Sequence, residues 1–79
     1  MKIWTYIINN PRIEGTQRGY VVTVSRRGAR RGDLNYYHGV DAYSNACACV
    51  ESVKRGRMVF ERDGLVFSVN GRNLVVTRD

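Results

Sequence analysis

Two dipeptides near the C-terminus constrain this chain most. Asp63-Gly64 and Asn70-Gly71 separate three short runs of mostly β-branched and aromatic residues: 57–62 (RMVFER), 65–69 (LVFSV) and 74–77 (LVVT). Asp-Gly and Asn-Gly accept the positive φ that two-residue hairpin loops require. The three runs therefore read as an antiparallel meander, with the second connection free to extend to Asn73.

The N-terminal half carries three further strand-like runs. Residues 2–8 (KIWTYII) are rich in β-branched and aromatic side chains. Asn9-Asn10-Pro11 is expected to end this strand, because the residue before proline is held extended and proline cannot donate to the ladder. Residues 12–18 (RIEGTQR) read as a polar connection, and 20–25 (YVVTVS) as the second strand. Residues 26–32 (RRGARRG) are too basic and glycine-rich for a strand interior and read as a hairpin loop. Residues 34–40 (LNYYHGV) read as a third strand, with Leu34, Tyr36 and His38 on one face and Asn35 and Tyr37 on the other.

Between the two sets lies one helical pattern, 42–55 (AYSNACACVESVKR). Ala42, Ala46, Cys49 and Val53 recur at spacings of four, three and four, and Tyr43, Cys47 and Val50 widen the stripe. Asp41 is placed to cap the N-terminus, and Gly56 to occupy the C′ position. The element order is β-β-β-α-β-β-β. This predicts an α+β fold: two layers, a mostly antiparallel sheet with one helix packed on one face. With 79 residues, positions 1–79 form a single domain. A core this small leaves little room for a pocket of ordinary ligand size, on the order of 300 Å³ or more. An open sheet has free edges, so a homodimer is one expectation.

The chemistry-bearing residues are sparse. His38 is the only histidine, and Cys47 and Cys49 are the only cysteines. On a helix, Cys47 and Cys49 point about 200° apart and cannot share one tetrahedral ion. Cys47 lies on the expected buried stripe, where a thiol is inert. The segment 28–32 lacks the Gly-Lys-Ser/Thr ending of a phosphate-binding loop. The expectation is therefore no enzyme, no cofactor and no metal. Short apolar runs predict no membrane span, and the two cysteines suit a reducing compartment, so the reading is cytoplasmic.

The net charge is +6, from eleven arginines and two lysines against seven acids. A GC-rich genome explains a preference for arginine over lysine; it does not explain the excess of positive charge. From Gln17 to Arg31 the chain holds Arg18, Arg26, Arg27, Arg30 and Arg31 and no acid. Lys54, Arg55 and Arg57 form a second cluster where the helix meets the next strand. Tyr37 lies on the strand leaving the arginine loop. Arginine suits phosphate, and aromatic rings stack on bases. These nine residues are the candidate binding set.

Two resemblances bear on this set. Residues 20–53, read as strand YVVTV, turn RRGARRG, strand LNYYHGV and helix DAYSNACACVESV, resemble three-stranded-sheet DNA-binding domains. The plant ethylene-response type and the arm-binding domain of tyrosine integrases share that layout. The resemblance implies DNA contacts by Arg26, Arg27, Arg30 and Arg31. The whole chain, in size and in its sheet-plus-one-helix layout, is similar to small inhibitors encoded by phages and mobile elements, such as type I anti-CRISPR proteins. That similarity implies docking on a host protein or nucleoprotein effector complex in the host cytoplasm. The expected function is a small basic binding protein, acting as such an inhibitor or binding DNA or RNA directly.

Overall fold

In the computed structural model, which describes residues 2–26 and 31–78, six strands and one helix follow in chain order. They are β1 (Lys2–Gly15), β2 (Gly19–Arg26), β3 (Gly32–His38), α1 (Ala42–Lys54), β4 (Arg57–Arg62), β5 (Leu65–Asn70) and β6 (Asn73–Arg78). The fold is α+β, and every strand pair is antiparallel. The order across the sheet differs from the order along the chain: β3-β2-β1-β6-β5-β4. Two three-stranded meanders are joined where β1 pairs with β6.

The first strand does not end at proline. β1 continues to Gly15, and its two halves serve different partners. Residues 2–7 pair with β6, and residues 8–15 pair with β2. The register breaks between Asn9 and Arg12. Asn10 takes a positive φ of 51°, which asparagine tolerates better than most residues. Pro11 sits in this bulge, where its missing N–H interrupts no regular rung.

The kink lets the two meanders curl towards each other, so the flat two-layer picture gives way to a half-barrel. The free edges of β3 and β4 approach closely enough for Arg62 Nη1 to donate to the Leu34 carbonyl at 3.2 Å. Helix α1 leaves β3, packs against β1, β2, β3 and β4, and delivers the chain to the opposite edge. Its buried residues are Ala42, Ala46, Cys49, Val50 and Val53. These small side chains let the helix sit deep in the curl. Cys47 is only half-buried and Tyr43 is exposed, so the apolar stripe is narrower than its sequence suggests. Asp41 makes no side-chain cap; its backbone carbonyl accepts from Asn45 N at 2.9 Å.

The core joins Ile8, Val22, Val24, Leu34, Val69, Leu74 and Val76 to the helix stripe. Phe60 and Phe67 stack across β4 and β5 with centroids 4.9 Å apart. Tyr20 meets Tyr43 of the helix edge-on at 5.0 Å. On β3 the register slips, because Val22 faces Asn35 while Thr23 faces Asp33. Leu34 is the extra residue. It turns inward and Tyr36 turns outward, which corrects the expectation that they share a face.

The last hairpin also shifts. Asn70 pairs with Asn73, so the two-residue loop is Gly71-Arg72 and not Asn70-Gly71. Gly71 has φ +64° and Arg72 has an ordinary φ, the pattern of a type II′ turn. Asp63-Gly64 holds both positive angles of a type I′ turn, as its sequence predicts.

Candidate anion-binding groove

Among the described residues, the arginines of the first cluster do not share one surface. Arg27 and Arg30 lie outside the described residues. Arg31 is exposed, and its Nη1 forms an ion pair with Glu14 at 2.6 Å. Arg18 is exposed at the β1–β2 turn, beside Tyr36 and His38. Arg26 folds back over the Tyr6 ring, with its Cζ 5.0 Å from the centroid. A Cβ on Gly32 would stand 3.0 Å from Arg26 Nε, so the bare glycine backbone completes the seat of this guanidinium. Arg26 Nε is buried without a hydrogen-bond partner among the described residues. The ring and the β3 backbone, not a bond at Nε, hold it in place.

Tyr37 packs against the core from β3. Its hydroxyl accepts from Asn35 Nδ2 at 3.1 Å. Burial first, and then a hydrogen bond with Cys49, push its pKa up to about 12. Burial also raises the Cys49 thiol, whose sulfur lies 3.5 Å from Met58 Sδ. A thiol held protonated in apolar surroundings is a poor nucleophile. The exposed Tyr43 hydroxyl is raised by its hydrogen bond with Cys47. Among the described residues, no group of three His, Cys, Asp or Glu could hold a metal ion. No helix among them is long and apolar enough to cross a membrane.

The outer face of β1-β2-β3 carries charges of both signs. Glu14, Val21 and Tyr36 stand in one row, and Arg12, Thr23 and Asp33 in the next. Asp33 accepts a hydrogen bond from Tyr36 Oη, which raises the tyrosine's pKa. The ion pair of Arg31 with Glu14 lies over the same face. Among the described residues, this face has little net charge to offer a polyanion.

Positive charge gathers instead around the β1 bulge. Lys54 and Arg55, at the end of α1, line a depression with Asn9, Asn10 and Pro11 on one side and Gly71 and Arg72 on the other. Asn9 and Arg72 continue into an adjoining depression lined by Ile7, Ser25, Arg26 and Asn73. The two depressions share Asn9 and Arg72 as a common rim, making a two-part groove between the helix C-terminus and Arg26. Among the described residues, no acidic side chain lines it. Three asparagines supply neutral donors between the cations.

The walls meet because Gly56 and Gly71 touch backbone to backbone. Gly56 has φ +69°, and a Cβ there would lie 2.8 Å from Gly71 Cα. Gly71 N donates to the Gly56 carbonyl at 3.0 Å. This contact brings Arg72 beside Lys54 and Arg55. Arg57 is exposed at the start of β4, outside the groove lining. The sequence gives no signal for Arg72, because its role depends on a turn shifted by one residue and on a contact between distant glycines.

Comparison with protein-family models, with curated proteins and with solved structures gave no match for this chain.

Proposed function

We propose that this protein is a non-enzymatic binder that holds a nucleic-acid backbone in the groove lined by Arg26, Lys54, Arg55 and Arg72. One observation carries this reading. Lys54 and Arg55 from the end of α1, Arg72 from the β5–β6 turn and Arg26 from the end of β2 line adjoining depressions around the β1 bulge, and no acid interrupts them among the described residues. Arginines supply forked donors for phosphate, and Asn9, Asn10 and Asn73 supply amide donors. The mixed-sign face of β1-β2-β3 is the weaker candidate, because Glu14 already neutralises Arg31.

The test is binding of a labelled oligonucleotide across a salt series. With three to four phosphate contacts, the log–log slope of affinity against salt is expected at roughly −2 to −4. Arg55 and Arg72 are exposed, so the double variant Arg55→Ala, Arg72→Ala should keep its melting temperature. It should bind more weakly and lose about one to two units of that slope. Arg12→Ala, on the mixed-sign face, should bind as the parent does. No binding at low salt refutes the proposal. A stable complex with a nucleic-acid-processing assembly, formed without free nucleic-acid binding, moves the assignment to a docking inhibitor of the phage-encoded kind.

A further inference from the structure

Arg26 belongs to a second feature as well. The curled sheet encloses a cavity of about 280 Å³, to which all six strands and no helix residue contribute walls. This is close to the lower limit of ordinary ligand pockets, in a domain whose size leaves little room for one. A flat sheet could not enclose it; the curl at the β1 bulge creates it. Tyr6, Phe67 and the half-exposed ring of Trp4 line it, with Leu65 and Val76 below. Arg26 and Arg62 flank it, each guanidinium 5.0 Å above a ring, on Tyr6 and Phe67 respectively. One carboxylate, Asp33, also lines it, so the two guanidiniums leave the lining with a net positive charge.

Aromatic walls with cations at the rim suit a planar aromatic group attached to an anion. Arg26 lines both this cavity and the groove. A phosphate lying in the groove at Arg26 therefore stands at the entrance of an aromatic cavity. In a duplex the bases are paired and stacked, and cannot enter. We propose that the cavity is a nucleobase pocket: one unpaired base of a single strand enters beside Trp4, Tyr6 and Phe67 while its phosphate lies against Arg26. This rests on the groove reading and adds to it a preference for single strands.

Trp4 is the only tryptophan, so its fluorescence reports on the cavity directly. The experiment titrates the full chain with a single-stranded DNA of about 12 nucleotides, its abasic counterpart and the matching duplex. The base-bearing single strand should quench Trp4, and the abasic strand should bind roughly 5- to 150-fold more weakly for one lost stack. The duplex should leave Trp4 unquenched. Trp4→Ala, at a half-exposed rim position, should bind the two single strands nearly alike in an anisotropy assay. Equal affinity of the parent protein for base-bearing and abasic strands overturns the pocket and leaves the groove standing. Failure of every nucleic acid to bind removes both.

Discussion

Tyr37 shows how the tertiary setting reassigns a residue. By type and position it suits stacking on a partner, yet the fold places its ring against the core and its hydroxyl against Cys49. An unfolded tyrosine titrates near 10, and Tyr37 in the folded chain at about 12. Between these values the unfolded state has released the proton and the folded state has kept it. The unfolded state then binds fewer protons, so stability falls as pH rises. The contribution is intact below about pH 10 and lost as pH rises through about 12. Urea midpoints measured along this range should decline, and less steeply for Tyr37→Phe, which cannot ionise. Identical declines in the two proteins would show that the buried hydroxyl is not the cause. Arg31 is a comparable case: it looks free in a run of arginines, and its ion pair with Glu14 exists only because β1, β2 and β3 lie side by side.

At the scale of elements, the contact between the α1–β4 junction and the β5–β6 turn decides whether a groove exists. Gly56→Ala introduces a Cβ against the Gly71 backbone at a residue with φ +69°. The strain is worth about 1–3 kcal/mol. For a domain of this size each kcal/mol lowers the melting temperature by about 4–8 °C. Gly71→Ala has φ +64° but open space around the new Cβ. It should lose less stability than Gly56→Ala in a thermal melt. Gly56→Ala should also weaken oligonucleotide binding, since Arg72 is displaced from Lys54 and Arg55. Equal losses in the two variants would mean that backbone φ matters and the close approach does not. The element inventory itself is legible in the sequence, from periodicity, turn dipeptides and the Gly56 stop. The boundaries that fail are the ones set by partners. Pro11 looks like a terminator until β1 is seen to change neighbours at that point. Asn70-Gly71 looks like the turn until Asn70 is seen to pair with Asn73.

At the scale of the molecule, the curl brings the two edge strands together, and Arg62 ties them. Its bond to the Leu34 carbonyl and its stacking on Phe67 link β4, β3 and β5. Arg62→Met keeps much of the apolar contact and removes the charged donor. For a partly solvated bond the expected cost is about 1–2 kcal/mol in urea unfolding. A change within about 0.3 kcal/mol would mean that packing alone holds the edges together. The sequence by itself determined the α+β class, six strands and one helix, the Asp63-Gly64 turn and the excess of positive charge. These follow from local patterns: side-chain periodicity, turn conformation and net charge are properties of neighbours along the chain. Only the tertiary structure decided the strand order, the curl, the cavity and the union of Arg26, Lys54, Arg55 and Arg72. Each of these depends on which distant segments touch, and that is set by a bulge at Asn10-Pro11 and a bare contact between Gly56 and Gly71. Of the arginines that the sequence assigns to one loop, Arg31 is paired with Glu14, and Arg26 lines a groove that no single segment encodes.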